Sequence, residues 1–99
     1  MKYISTRGQT DSVSFGEAVA IGLAPDGGLF LPESLPDISP RLPGWKNLSY
    51  AELCTEFLSL FATDIPREVL EKLVHRSYGT FTHPEIAPLR NIDDRLYVL

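Results

Sequence analysis

The sequence predicts a small α+β domain in which about three helices pack around one apolar stripe, with short strands at the periphery. Three observations predict this class: apolar residues at helical spacing over positions 50–61, two capping boxes that mark helix starts, and brief apolar runs bounded by turn residues. The 99 residues are enough for one small domain, and 43% hydrophobic and 22% charged residues are typical of a globular one.

The first two elements are short. Tyr3-Ile4 has the character of a strand, and a polar loop follows it. Ser14 stands three residues before Glu17, which is the spacing of a capping box. A helix is therefore predicted to begin there and to end at Gly22.

A glycine turn separates this helix from the next strand. Asp26-Gly27-Gly28 predicts a turn because glycine accepts a positive φ without steric cost. Leu29-Phe30-Leu31 follows as a brief apolar strand that Pro32 stops. Residues 32–44 hold four prolines and a glycine, so we expect an ordered or extended loop without a helix or strand.

The second half of the chain predicts two helices. Ser49 and Glu52 form another capping box, and the wide apolar stripe that follows makes residues 50–61 the expected core element. Pro66 suits the first turn of a third helix, which Gly79 ends. The expected buried face of that helix consists of Val69, Leu70, Leu73 and Val74.

The chain closes on the apolar run Leu96-Tyr97-Val98-Leu99, which we expect to be a strand. An apolar strand without a polar tail is a poor chain end, so the sequence is expected to continue beyond it. Left unpaired, its edge would be a template for association with another chain.

Charge and cysteine content exclude several classes of protein. The net charge is −4, and the nine basic residues form no run, which argues against nucleic acid and anionic membranes as partners. No segment has the length and apolarity of a signal peptide or a membrane span, so we expect a cytoplasmic location. Cys54, the only cysteine, lies in an apolar run and is expected to act as a small hydrophobe.

No complete catalytic, cofactor or metal site emerges from the residues themselves. His75 and His83 have no partner at motif spacing, and Asp93-Asp94 is typical of a polar turn. No lysine lies in an apolar run that would lower its pKa toward imine chemistry. We therefore predict no catalytic residue, no cofactor-binding residue and no metal ligand in this chain.

Two segments are candidates for binding. Asp26-Gly27-Gly28 can form an anion nest, but it precedes a strand, which favours a structural turn. Ser5-Thr6-Arg7-Gly8 contains two hydroxyls and a guanidinium, and a guanidinium can bind phosphate or carboxylate through two parallel hydrogen bonds. The alternative for this segment is a solvated loop after an edge strand.

Several motifs together resemble the N-terminal domain of threonine synthases, and they cover nearly the full chain in the expected order. They are Tyr3-Ile4-Ser5-Thr6-Arg7, Ser14-Phe15-x-Glu17-Ala18-x3-Gly22-Leu23-Ala24-x-Asp26-Gly27-Gly28-Leu29-Phe30-x-Pro32, Leu35-Pro36, Ser49-Tyr50, Ile65-Pro66 and Arg76-Ser77-Tyr78-x-Thr80-Phe81.

The resemblance implies a fold type II pyridoxal phosphate (PLP) enzyme of threonine biosynthesis. Such an enzyme is a carbon–oxygen lyase that converts O-phosphohomoserine and water to L-threonine and phosphate. In the family, the strand matching residues 96–99 runs into a His-Gly-Pro-Thr segment and then a Phe-Lys-Asp segment, whose lysine carries the cofactor. The 99 residues alone are therefore expected to be inactive and to bind no PLP.

The resemblance also implies partners and binding residues. The N-terminal domain is expected at residues 1–82, and residues 83–99 are expected to be a connector and the first strand that leads into the catalytic PLP domain. The N-terminal domain is expected to pack on the catalytic domains of the same polypeptide and to form one wall of the substrate cleft. Thr6 and Arg7 are expected to face that cleft and to hold the phosphate or carboxylate of O-phosphohomoserine.

Two rival interpretations stay open. Threonine-synthase-like proteins share such a segment and act as phosphatases or lyases on other phosphorylated hydroxy acids. The second rival is a free-standing helical interaction module that docks through its exposed apolar strand.

Overall fold

Four helices and four short strands make up the chain, and the computed structural model describes all residues, 1–99. Their order is β1 (Tyr3–Ser5), α1 (Phe15–Ile21), β2 (Phe30–Pro32), α2 (Leu42–Trp45), α3 (Tyr50–Ser59), α4 (Arg67–Tyr78), β3 (Arg90–Asn91) and β4 (Tyr97–Val98). The class is the predicted α+β, with one helix more than expected. None of the helices has the length and apolarity that crossing a lipid bilayer requires.

The strands β1 and β2, which precede and follow α1 in the sequence, pair with each other in an antiparallel sheet. Ser5 lies opposite Phe30, and Tyr3 lies opposite Pro32, so the second strand includes the proline that was expected to stop it. Proline is tolerated here because β2 pairs with β1 alone and is therefore an edge strand. The pairing brings the residues that follow β1 next to those that precede β2.

Both predicted capping boxes are present. The backbone N–H of Glu17 donates to Ser14 Oγ at 3.3 Å, and the Glu17 carboxylate accepts from the Ser14 N–H at 2.8 Å. Ser49 and Glu52 make the same reciprocal pair at the start of α3. Each box satisfies backbone donors that a helix start would otherwise leave free.

The helices α3 and α4 pack against each other. Leu70 and Val74 are the buried side chains of α4. The expectation that Val69 and Leu73 would also be buried is wrong, because these side chains are 46% and 49% exposed. Leu70 and Val74 are four residues apart on one helical row, so α3 covers a narrower face of α4 than the apolar pattern indicated.

Long-range hydrogen bonds join residues 50–78, which we call the helical half, to β1 and to α1. The Tyr3 hydroxyl donates to the Phe61 carbonyl at 3.2 Å, and the Asp64 carboxylate accepts from the Gly16 N–H at 2.9 Å. Burial, followed by the charge of Asp64, raises the pKa of the Tyr3 hydroxyl. The tyrosine ring also packs edge-on against Phe15, with the ring centroids 5.7 Å apart.

The prediction of a loop over residues 32–44 is wrong at its C-terminal end, where the short helix α2 forms. Pro43 lies in the first turn of this helix, a position at which the missing N–H of proline costs nothing. Trp45 on α2 packs edge-on against Phe57 of α3. The aromatic contact connects α2 to the helical half.

The C-terminal residues form a β-hairpin in which β4 pairs with β3. Asp93 lies in the turn and accepts hydrogen bonds from the N–H groups of Arg95 and Leu96 through one carboxylate oxygen. The expectation that β4 has no paired edge is therefore wrong, because one of its edges pairs with β3. Residues 89–99 are all exposed.

Candidate functional site

Asp26 is the centre of the contact between the loop after β1 and the turn before β2. Its Oδ1 accepts from Ser5 Oγ at 2.7 Å and from the Gly28 N–H at 2.9 Å, and its Oδ2 accepts from the Gln9 N–H at 3.0 Å. These donors lower the pKa of Asp26 to about 2, with the Ser5 hydroxyl as the largest cause. We call Ser5, Gln9, Asp26 and Gly28 the Asp26 clamp.

The two glycines of the turn allow the loop to approach closely. A Cβ on Gly28 would lie 2.3 Å from Ser5 Oγ, and a Cβ on Gly27 would lie 2.8 Å from Arg7 Nη1. Gly27 also has a φ of 80°, which L side chains rarely adopt. The N–H groups of both glycines donate within the turn, so the segment is a structural turn and not an anion nest.

Arg7 is held by uncharged groups. Its Nη1 donates to the backbone carbonyl of Asp26 at 2.9 Å, and its backbone N–H donates to Ser5 Oγ at 3.1 Å. The chain contains one ion pair, between Arg67 and Glu56, and Arg7 takes no part in it. Of the five N–H donors of the guanidinium, one is used, so Arg7 is oriented while its charge is not neutralised.

Thr6 lies beside Arg7 against the same turn. Its Oγ1 accepts from the Leu29 N–H at 3.0 Å, and its hydroxyl donates no hydrogen bond within the chain. The structure thus brings the two predicted binding residues together on the glycine turn, and both residues are exposed. Unused donors on neighbouring exposed side chains suit an anion better than a cation.

Sequence reasoning missed the roles of Ser5 and Asp26, although it singled out both segments separately. The signal that connects them is the antiparallel pairing of the flanking apolar runs, which places Ser5 opposite Phe30. A serine near the end of one strand then meets an Asp-Gly-Gly turn near the start of the other.

A second concave region is an apolar groove formed by α2, α3 and the end of α4. Tyr78 lines this groove. The pKa of its hydroxyl is raised to about 12, chiefly by Cys54 and then by burial and Tyr50. The groove has a volume of about 400 Å³ and no charged side chain, so it does not suit a phosphorylated substrate. Its lining residues are Leu42, Trp45, Tyr50, Leu53, Cys54, Phe57, Leu58 and Tyr78.

The titratable side chains elsewhere are dispersed. His75 is exposed on α4, and His83 accepts a hydrogen bond from the Glu85 N–H at its own Nδ1. No three histidine, cysteine or carboxylate side chains are grouped so that they could hold a metal ion.

The residues of this chain do not fit a PLP site. Lys2, Lys46 and Lys72 are the three lysines, and all are exposed at the surface. The N–H groups of the glycine turn are already used by acceptors in the chain. Neither an enclosed amine for imine formation nor a set of free N–H groups for the cofactor phosphate is present.

Comparison with known proteins shows similarity along the whole chain. A family model described as the threonine synthase N terminus matches residues 2–78. Threonine synthase of Schizosaccharomyces pombe is 45% identical over 102 residues, which include 100% of this chain and 20% of that protein. Threonine synthase-like 2 of Xenopus laevis is 42% identical over 102 residues, which include 100% of this chain and 22% of that protein.

A solved structure shows the same arrangement of elements. The crystal structure of PLP-bound threonine synthase from Brucella melitensis matches with a TM-score of 0.88 and 37% identity, over 99% of this chain and 22% of that one. The chain thus spans about a fifth of the length of the curated relatives it matches. Because the family match extends over residues 2–78, the chain belongs to the threonine synthase N-terminus family.

Proposed function

We propose that this chain is the N-terminal domain of a threonine synthase, which converts O-phosphohomoserine and water to L-threonine and phosphate. The observation that carries the proposal is the match over the whole chain, at 45% identity to a threonine synthase. The related Brucella enzyme binds PLP, and we assign the attachment lysine for the cofactor to sequence beyond residue 99. The proposed location is the cytoplasm.

In the proposed enzyme, the domain boundary lies near residue 82. The family match ends at residue 78, and the C-terminal hairpin makes no extensive contact with the other elements. Residues 83–99 would then be the connector and the first strand toward the catalytic domains.

The proposed task of the domain is to pack on those catalytic domains. Its accessible surface is 7500 Å², against about 5600 Å² for a free-standing protein of 11.0 kDa. Its radius of gyration is 16.2 Å, against about 13 Å for a compact domain of this length. Only nine of 99 residues are buried, and many large apolar side chains are exposed, which favours a surface that another domain covers.

Within the enzyme, we propose that Thr6 and Arg7 form part of the cleft wall and bind the phosphate or carboxylate of the substrate. The support is a guanidinium that is oriented by the Asp26 carbonyl and retains its unpaired charge. The free hydroxyl proton of Thr6 would add one donor beside it.

A second candidate function follows from the similarity to threonine synthase-like 2. The identity to that protein is 42%, close to the 45% found for a threonine synthase. In this alternative, the polypeptide is a phosphatase or lyase that acts on another phosphorylated hydroxy acid.

The test uses the full-length polypeptide with PLP and O-phosphohomoserine, and it measures phosphate and L-threonine in the same samples. Equal amounts of both products support threonine synthase activity. Phosphate without threonine supports the threonine-synthase-like alternative. Release of neither product contradicts the proposal, provided that a known threonine synthase is active in the same assay.

A further inference from the structure

The Arg7 guanidinium contacts Asp26 through the uncharged backbone carbonyl of that residue and not through its carboxylate. A nearby arginine and carboxylate commonly form a bidentate ion pair. Here the guanidinium donates to the backbone carbonyl of Asp26 at 2.9 Å, and no ion pair joins the two residues.

The Asp26 carboxylate is occupied by other donors. Oδ1 accepts from Ser5 Oγ and the Gly28 N–H, and Oδ2 accepts from the Gln9 N–H, at distances between 2.7 and 3.0 Å. Three donors at these distances hold the carboxylate in place and partly compensate its charge. The Ser5 hydroxyl also accepts from the Arg7 backbone N–H, so one side chain fixes both the carboxylate and the arginine backbone.

This arrangement matters because an ion pair and an anion site compete for the same guanidinium. A carbonyl acceptor fixes the direction of one N–H without cancelling the positive charge, whereas a carboxylate would cancel it. Gly27 leaves room for the guanidinium because it has no Cβ. A Cβ at this position would lie 2.8 Å from Arg7 Nη1.

We propose that Ser5 and Asp26 are positioning residues for substrate binding: the clamp keeps the Asp26 carboxylate away from Arg7, so that the guanidinium stays free for the anionic group of the substrate. The inference deepens the proposed function of Arg7 and rests on it.

The kinetic test is Ser5→Ala in the full-length polypeptide. Losing the hydroxyl leaves the Gly28 N–H as the one donor to Oδ1, so the less restrained carboxylate can turn and pair with Arg7. KM for O-phosphohomoserine should then rise several-fold, up to about tenfold, while kcat stays within about twofold. The matched control is Ser39→Ala, since Ser39 contacts Asp37 in a similar turn and no arginine is involved. An unchanged KM in Ser5→Ala would overturn the inference.

A double-mutant comparison separates positioning from general destabilisation. If Ser5 acts through Arg7, then adding Ser5→Ala to an Arg7→Ala background should not raise KM further. Independent, additive effects would contradict the inference. If Ser5→Ala fails to fold, Ser5→Cys replaces it, because a thiol of similar size is a weaker donor to Asp26 Oδ1.

A substrate-free measurement distinguishes this inference from the proposed function. In the full-length polypeptide with ¹⁵N-labelled arginine, the Arg7 Nε–H resonance should change its position and its salt sensitivity in Ser5→Ala, as a new ion pair forms. The resonance is assigned with Arg7→Lys. No change in this resonance refutes the clamp, whereas an inactive wild-type polypeptide refutes the proposed function.

Discussion

The carboxylate of Asp64 accepts a hydrogen bond at 2.9 Å from the backbone N–H of Gly16, 48 residues earlier in the chain. Gly16 lies in the first turn of α1, where backbone N–H groups have no partner within the helix. Asp64 lies in the connection between α3 and α4. The bond therefore makes the start of α1 depend on the helical half of the domain.

Replacing this carboxylate should destabilise the chain. Asp64→Ala removes the acceptor of the Gly16 N–H, and we expect a lower Tm, measured by circular dichroism at pH 7. Asp11→Ala is the control, because Asp11 is an exposed carboxylate without a hydrogen bond in the chain. Equal Tm values for the two variants would show that the bond contributes nothing to stability.

The packing of α4 on α3 gives a second prediction. Leu70 is 5% exposed, so Leu70→Ala should lower the free energy of unfolding by about 2–5 kcal/mol, measured by urea titration. Leu73→Ala, three residues later in the same helix, should change it by about 0.5 kcal/mol or less, because Leu73 is 49% exposed. Equal losses in the two variants would contradict the observed face of α4.

A third prediction concerns acid stability and Asp26. The pKa of Asp26 is about 2 in the folded chain, below its ordinary value of 3.8, so ionised Asp26 favours the folded state. This contribution is complete above about pH 5 and is lost as the pH falls toward 2. Asp26→Asn should therefore be less stable than wild type at pH 7, and the difference should shrink in acid, as measured by urea titration.

The control for this prediction is Asp37→Asn, whose carboxylate has its pKa lowered by Ser39 alone. We expect a smaller effect there, since no long-range contact depends on Asp37. If the free energies of unfolding of wild type and Asp26→Asn differ by a constant amount from pH 7 to pH 2.5, ionisation of Asp26 does not contribute to stability.

The local parts of this fold were predictable from sequence. Both capping boxes, the end of α1 at Gly22 and the end of α4 at Gly79 depend on residues within a few positions of one another. The Asp26-Gly27-Gly28 turn has the same local character, and its structure agrees with the prediction.

The errors arose where distant residues decide the outcome. The helix α2 includes Pro43, although the run of prolines in this segment predicts a loop, and Trp45 of that helix packs on Phe57. Val69 and Leu73 look like core residues in the sequence, yet about half of each side chain is exposed within these 99 residues. If the proposed packing on catalytic domains is correct, those domains would cover such side chains.

The sequence predicts two residues of the candidate site, Thr6 and Arg7, but not the role of Asp26. A hydroxyl and guanidinium cluster marks Thr6 and Arg7 in the sequence, because anion binding needs those groups in any fold. The role of Asp26 depends on a contact across 21 residues, which the register of β1 and β2 creates. The residues around Ser5 and Asp26 do not by themselves predict that register.

The most direct test of the account is the steady-state kinetics of Arg7→Ala in the full-length polypeptide with O-phosphohomoserine. Arg41→Ala is the control, because Arg41 is exposed and its side chain makes no hydrogen bond in the chain. If Arg7 binds the anionic group of the substrate, Arg7→Ala should raise KM several-fold, and Arg41→Ala should leave it unchanged. Kinetics of Arg7→Ala equal to those of wild type would contradict the proposal that this domain contributes to substrate binding.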